Sequence, residues 1–327
     1  MPGRKRRNRR VAPIVVLLVC LVVGFTALST AQERYGHDFG LPQVNLSSIG
    51  ELFGQNGEVQ RWQEMVDQFD PDEDVVAVHF IDVGQGESIL IQAPEKTVLI
   101  DGGDNGQGGA VLRHLDAHGV TAIDILIATH AHADHIGGLI DVVAQIEIGE
   151  VIMPEVPDEI VSTTRTYTNF LLALLEQGLS VTPATVGDTY ELGGGATLTI
   201  IGPVRDYNNL NDMSVVSRLA FGNVSFLFTG DIEIAAEHDL AAQGGIRSSV
   251  LNIAHHGSRT STTQVFLDAV SPNIAVISCG LDNQHGHPHR TVIERLQEKG
   301  VKILRTDFDG TVILVTNGQS IGVLTEN

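Results

Sequence analysis

The sequence predicts a layered α/β domain in which two β-sheets pack face to face with helices outside. Three observations predict it. Short β-branched runs follow one another from residue 75 onward, in meanders bounded by Gly, Pro and Lys. Segments with helical spacing interrupt them after every second or third strand. Hydrophobic residues make up 43% of the chain and there are 35 glycines, but only 5% aromatics, which suits many short elements joined by tight turns. Sheets in such a pattern bury one face against each other and the other under helices.

The elements follow in order. VVAVHFID, ESILIQA and KTVLID, within 75–101, are consecutive strands. GGAVLRHLDAHG (108–119) has helical spacing and a Gly stop. IDILIAT (123–129) is an apolar strand, and IGGLIDVVAQIE (136–147) and TTRTYTNFLLALLEQG (163–178) are helices. ATLTIIGP, SVVSRLAFG and VSFLFTGD are strands again, followed by a helix near 232–243 and the strand SVLNIA. A helix near 262–270, the strand NIAVISC, the helix RTVIERLQEKG and the strand pair TVILVTNGQSIGVLT complete the domain at 75–327. There is no internal repeat of fixed period.

Residues 1–31 have a different character. MPGRKRRNRR holds six Lys or Arg, and VAPIVVLLVCLVVGFTAL is uncharged and mostly apolar. This start reads as a membrane anchor, because about 20 apolar residues span a bilayer as a helix. The other reading is a signal peptide cleaved after Ala31, for which the apolar run is long, so the anchor is favoured. Either way the basic flank stays inside and the rest lies outside the cytoplasm. Residues 32–74 are a polar spacer with one short amphipathic helix in GEVQRWQEMVDQF, ending in the acidic DPDED.

The formal net charge is −20. Without the basic start, 14 Lys and Arg face 40 Asp and Glu, a net of −26. Such a surface stays soluble and repels polyanions at long range; adaptation to a salty medium explains it as well as any function. The two cysteines, Cys20 in the apolar segment and Cys279 in a strand, form no disulfide framework.

The stretch ATHAHADHIGG follows the strand IDILIA and places His130, His132, Asp134 and His135 in one Gly-bounded loop. Imidazoles and a carboxylate are ligands for Zn²⁺, Mn²⁺ and Fe²⁺. Three more apolar strands run into acids or histidines beside a glycine. VLIDGG ends in Asp101, FLFTGD in Asp231, and LNIAHHGS in His255 and His256. One such aspartate is usually a turn former. Several, with the histidine loop, indicate an edge where acids and histidines gather.

The ordered set LIDGG, HxHxDH, TGD and HHGS resembles the metallo-β-lactamase fold, a four-layer αββα sandwich. VHFIDVGQGESILI, NDMSVVSRLAFGNVSFLFTGD and QHGHPH narrow the resemblance to the extracellular hydrolase domain of the ComEC competence proteins and its stand-alone relatives. It covers about residues 75–325. The resemblance implies two divalent ions, Zn or Mn. His130 and His132 would bind the first. Asp134 and His135, with His256 or His255, would bind the second, and Asp231 would bridge. Asp101 would orient ligands, and Asp134 would also guide the nucleophile. Paired ions about 3.5–4 Å apart stabilise both attacking and leaving oxygens, which suits phosphodiester hydrolysis.

The superfamily's further histidine for the first metal is missing from YNNLNDMSVV; Asn211, Asp212 or Ser214 would stand in, or water. The subgroup has Asp where Glu87 stands. In DVGQGES, Asp82 and Gln85 belong to a Gly-rich turn that either approaches a phosphate or only joins strands. In HGHPHR, His285, His287, His289 and Arg290 precede a helix; His287 is the favoured phosphate contact, against a plain polar loop. Ser258 and Arg259 face the same cleft. His79, His114, His118 and His238 are read as structural or solvated.

The expected function is metal-dependent phosphodiester hydrolysis, with DNA among the substrates, outside the cytoplasmic membrane. The rivals are hydrolysis of a phosphorylcholine ester, a lactone or a β-lactam, and an inactive metal-binding interaction module. The expected partners are the phosphodiester and, through the N-terminal segment, the membrane; no protein partner is inferred. A reporter fused after residue 75 is expected to be active only if it is of the exported type. N-terminal sequencing then separates the two export readings: a start at Gln32 marks secretion, and an intact start marks an anchor. A cytoplasmic reporter signal overturns both.

Overall fold

The computed structural model describes residues 73–327 and isolated positions between 61 and 69. Its strands are β1 (Val76–Phe80), β2 (Ile89–Gln92), β3 (Thr97–Ile100), β4 (Ala122–Ile127), β5 (Glu147–Met153) and β6 (Val181–Pro183). They continue as β7 (Thr189–Gly193), β8 (Ala196–Gly202), β9 (Val216–Phe221), β10 (Val224–Phe228) and β11 (Val250–Asn252). The last are β12 (Ile274–Ile277), β13 (Lys302–Arg305), β14 (Val312–Thr316) and β15 (Ile321–Thr325). The helices are α1 (Gly108–Ala117), α2 (Ala133–Ile136), α3 (Leu139–Gln145), α4 (Arg165–Gln177), α5 (Ile234–Gln243), α6 (Gln264–Val270), α7 (Arg290–Glu298) and α8 (Thr306–Asp309).

Eight strands form one sheet in the order β15-β14-β1-β2-β3-β4-β5-β6, and seven form the other, β13-β12-β11-β10-β9-β8-β7. Strand alternation explains how they pack. Val76, Val78 and Phe80 of β1 share one core with Leu198 of β8 and Phe226 and Phe228 of β10, so the inner faces of both sheets meet. The outer residues Leu90, Leu99 and Leu126 pack with Val111 of α1, Leu139 of α3 and Phe170 of α4. Leu227, Leu251 and Ala275 pack with Leu240 of α5, Phe266 of α6 and Leu296 of α7. The result is the αββα sandwich.

Half of each sheet is parallel: β3, β4, β5 and β6 in the first, and β10, β11, β12 and β13 in the second. Their carboxyl ends therefore open onto one edge of the sandwich, where ligands bind in open α/β sheets. Asp101, His130, Asp231 and His255 all come just after such ends.

Four strands are not among those predicted. β5 carries two Glu and a Gly, and β13 two basic residues, while β6 and β7 lie largely exposed. Their place in a sheet is set by neighbours rather than by local apolar pattern. The helix predicted over 136–147 is divided into α2 and α3, and Glu147 already belongs to β5. Cys279 is buried and free. The predicted segment 1–31 lies outside the described residues. Among the described residues no helix is long and apolar enough to cross a membrane. The end of the predicted spacer touches the domain: Met65 is buried against Ile313 and Val315, and Arg61 donates to the carbonyls of Thr325 and Glu326.

The glycines after the HxHxDH loop have a specific reason. A Cβ on Gly138 would lie 2.0 Å from the carbonyl oxygen of Gly102. The two loops are bound backbone to backbone, Gly102 N–H to His135 O at 2.7 Å and Gly138 N–H to Gly103 O at 2.9 Å. Gly138→Ala is therefore expected to cost about 1–3 kcal/mol of stability through overpacking and to loosen both loops. Chemical denaturation checks the first effect and metal content the second; unchanged values would remove this role for the close approach.

Candidate metal centre

Each loop at the shared edge is shaped to aim its side chains inward. Asp101, His255 and His256 hold positive φ angles of 56°, 52° and 55°, which non-glycine residues adopt only under constraint. Asp101 is fully buried and works as an anchor. It accepts from the Thr129 backbone N–H at 2.8 Å, from the Thr129 hydroxyl at 2.6 Å and from His135 Nδ1 at 2.6 Å. That last bond fixes Nδ1 on Asp101 and turns Nε2 toward the centre, the atom a metal would take. His256 is set in the same way, its Nδ1–H donating to the Ser278 carbonyl at 2.9 Å.

Asp231 sits in the middle. Its Oδ1 is 3.1 Å from His135 Nε2 and 3.6 Å from His256 Nε2. Its Oδ2 is 3.7 Å from both His130 Nε2 and His255 Nε2. Asp134 Oδ2 lies 3.3 Å from His256 Nε2, and His130 Nε2 lies 2.9 Å from His132 Nδ1. Two donor sets result, His130–His132–Asp231 and Asp134–His135–His256, each with its ligand atoms within 4.8 Å of one another.

The donor chemistry fits divalent metal. His135 Nε2, His256 Nε2 and Asp231 Oδ1 are buried, yet none is aligned in a hydrogen bond with a protein group. They face one another and Asp134 across 3.1, 3.3 and 3.6 Å, and a cation between them would satisfy the set together. The electrostatics agree. Burial alone would lower the His135 pKa, but Asp231 and Asp101 prevail and hold it well above the usual imidazole range. Burial alone would raise Asp231 and Asp134, yet His135 and His256 hold both well below the carboxylate range. The carboxylates thus stay ionised, and the field that retains a proton on His135 also attracts a metal cation.

The loop bearing His287 faces this centre. Its ring centroid is 5.6 Å from that of His255 and 6.2 Å from that of His256. Asn283 fixes it, accepting from the His287 N–H at 3.0 Å, and the His289 N–H donates to the Gly257 carbonyl at 2.8 Å. Burial, then the neighbouring histidines, push His287 down to about 4, so it is a neutral donor at pH 7. His285 is exposed, and its ring lies 5.5 Å from that of His287. Arg290 is exposed and pairs with Glu294.

Other predicted residues fall as follows. His255 lies on the Oδ2 side of Asp231, with Nδ1 3.3 Å from Glu233; it is His256 that joins Asp134 and His135. Ser214 Oγ accepts from the Asp231 N–H at 3.1 Å and lies 3.3 Å from His130 Nδ1, so it orients two donors rather than replacing a histidine. Asp212 accepts from the N–H groups of Glu233 and Ala236 at the start of α5, which corrects its reading as a stand-in ligand. The Asn211 carbonyl accepts from Ser214 N–H, and Asn211 is not in either donor set. Asp82 accepts from Gly84 N–H within its own turn, and Gln85 accepts from Gly280 N–H at 3.3 Å; both shape loops and neither joins a donor set. Ser258 lies within hydrogen-bond reach of Thr260, whose hydroxyl donates to Glu233, and Arg259 is exposed.

Glu87 is the residue that sequence reasoning left without a role. It is buried, and one oxygen lies near Asp101 and His135. Asn252 donates to its Oε2 at 2.8 Å, and its backbone N–H donates to Asp134 O at 3.0 Å. Burial outweighs these contacts and pushes its carboxyl up to about 7. Its position in a Gly-rich turn gave no hint of this.

A family model described as the metallo-beta-lactamase superfamily matches residues 81–281, and the chain belongs to that superfamily. It is similar to ComEC-like competence proteins. It is 31% identical over 259 residues to ComE operon protein 3 of Bacillus subtilis (strain 168), covering 72% of this chain and 32% of that protein. It is 32% identical over 245 residues to competence protein ComA of Neisseria gonorrhoeae, covering 73% of this chain and 32% of that protein. The chain thus spans about a third of the length of these relatives. Among solved structures it is similar to CmlA, a diiron beta-hydroxylase from Streptomyces venezuelae, at 16% identity and a TM-score of 0.46, over 72% of this chain and 53% of that one.

Asp101→Asn tests the anchor. Asn tolerates the left-handed backbone but cannot accept from His135 and Thr129 with full charge. Metal affinity is expected to fall about 10–100-fold, as when such outer partners are lost. Competition with a chromogenic chelator reads it; an unchanged affinity would sink the anchoring role.

Proposed function

We propose that this member of a metallo-hydrolase superfamily hydrolyses phosphodiesters, with single- or double-stranded DNA as the substrate class, outside the cytoplasmic membrane. The observation that carries the reading is the position of Asp231, which offers one oxygen to each of two donor sets. Divalent ions held there would stabilise charge on both the attacking and leaving oxygens of a phosphodiester. Similarity to proteins named for competence supports DNA, and the basic-then-apolar start supports export.

The chain's own groups have separable tasks. Asp231 and the buried histidines are preorganised by Asp101, Ser214 and Ser278, so the centre needs little rearrangement on binding. Asp134 is 29% exposed at its side chain and stays ionised, so it can accept a hydrogen bond from the attacking water and orient it. His287, neutral at pH 7, can donate to a non-bridging phosphate oxygen. The acidic surface gives no long-range capture of a polyanion, so the charge needed for binding must come from the centre itself.

Metal-dependent turnover of bis-p-nitrophenyl phosphate and plasmid DNA is the direct measurement, with lactones and nitrocefin alongside. Asp231→Ala is expected to abolish hydrolysis and lower metal content. His287→Ala is expected to keep its metal yet lose about 10²–10³ in turnover, the usual cost of one transition-state donor. If His287→Ala matches the parent, the phosphate contact is wrong. If the parent cleaves only a lactone or a β-lactam, the phosphodiester reading falls while the metal centre stands.

A further inference from the structure

A second group of histidines lies apart from the strand-end centre. His79 is on β1, where Val78 and Phe80 point into the core between the sheets, so its ring points to the outer face. His114 is in α1, and His118 is the residue capping that helix at its C-terminus. Their spacing of four puts both on one helical face. Packing of α1 on the sheet closes the group. Ring centroids are 5.1 Å apart for His79 and His114, 4.7 Å for His79 and His118, and 4.2 Å for His114 and His118.

We propose that His79, His114 and His118 form a second transition-metal site, a three-imidazole site for Zn²⁺ that ties α1 to β1. One nitrogen from each ring lies within 4.8 Å of the other two, and the group contains no carboxylate. Zn–N bonds of about 2.0–2.1 Å in tetrahedral geometry separate two ligand nitrogens by roughly 3.3 Å. His79 Nδ1 and His114 Nε2 are 3.0 Å apart, so small adjustments admit the ion.

The third ring is oriented as metal-binding histidines are. His118 Nδ1 lies 3.0 Å from the His114 carbonyl, the geometry of an N–H donor, which leaves Nε2 as the ligand atom. Gln92 donates to the His118 carbonyl at 3.2 Å and holds the cap against β2. Burial lowers the pKa of all three, that of His114 to about 3, so the rings are in the neutral form that ligates metal at pH 7. His118 is partly buried, at the end of α1. A nitrogen-only set selects Zn²⁺, Cu²⁺ or Ni²⁺ over Mn²⁺ and Mg²⁺, whereas the mixed set at the strand ends accepts harder ions.

The test uses the full chain equilibrated with micromolar Zn²⁺. Elemental analysis should find one zinc fewer per chain in His118→Asn than in the parent; equal content overturns the site. A second measurement needs no substitution. In the parent, Zn²⁺ should shield His118 from diethylpyrocarbonate, read by peptide mass spectrometry, and Mn²⁺ at the same concentration should not. An unchanged modification rate with Zn²⁺, or equal shielding by Mn²⁺, overturns the proposal even if the variant fails to fold.

Discussion

The structure depends on keeping the Asp231 carboxylate and three imidazoles out of water between two sheets. An isolated buried carboxylate is expensive enough that it would normally take up a proton. Here the surrounding histidines keep Asp231 ionised. The arrangement holds because every ring is gripped from behind: His135 by Asp101, His256 by the Ser278 carbonyl, and His130 by its closeness to Ser214 and Thr129. The inward nitrogens are thereby left available. The large apolar core between the sheets offsets the cost of desolvating these groups.

The αββα architecture supplies that support by making strand ends from both sheets converge. Parallel halves in each sheet send Asp101, Asp231 and the two histidine loops to one edge. The loops at that edge are pinned backbone to backbone, and Asp101, His255 and His256 take positive φ to turn their side chains inward. The strain at His255 and His256 lies where function is expected, with the His256 ring held by a backbone carbonyl rather than by another side chain.

Much of this is legible in the sequence, for physical reasons. His130, His132, Asp134 and His135 are contiguous, and Asp101, Asp231 and His256 follow apolar strands and border glycines. A short apolar run ending in an acid or a histidine beside a glycine is a local signal. What is not legible depends on contacts between distant segments. Ser214 looks like a substitute ligand because it stands where the superfamily's further histidine is missing; only the folded chain shows it accepting from Asp231 N–H. Asp212 looks like a ligand because acids are, but the start of α5 takes it as a cap. Glu87 reads as part of a Gly-rich turn until burial places it beside Asp101 and His135. The strands β5 and β13 escape a sequence reading because charged residues interrupt them, and their sheet position comes from parallel partners.

The two histidine groups obey different logic, and that difference argues for separate roles. At the strand ends, imidazoles alternate with carboxylates, so the donor set carries its own negative charge and matches cations that also meet oxygen. On the outer face of the first sheet, His79, His114 and His118 gather with no carboxylate in the group, and burial favours their neutral form. Nitrogen-only sites bind fewer kinds of ion. The helix they would hold, α1, begins soon after the Asp101 loop, and the strand they would hold, β1, leads into the Glu87 turn. A fixed joint between α1 and β1 would therefore steady both loops that brace the strand-end centre.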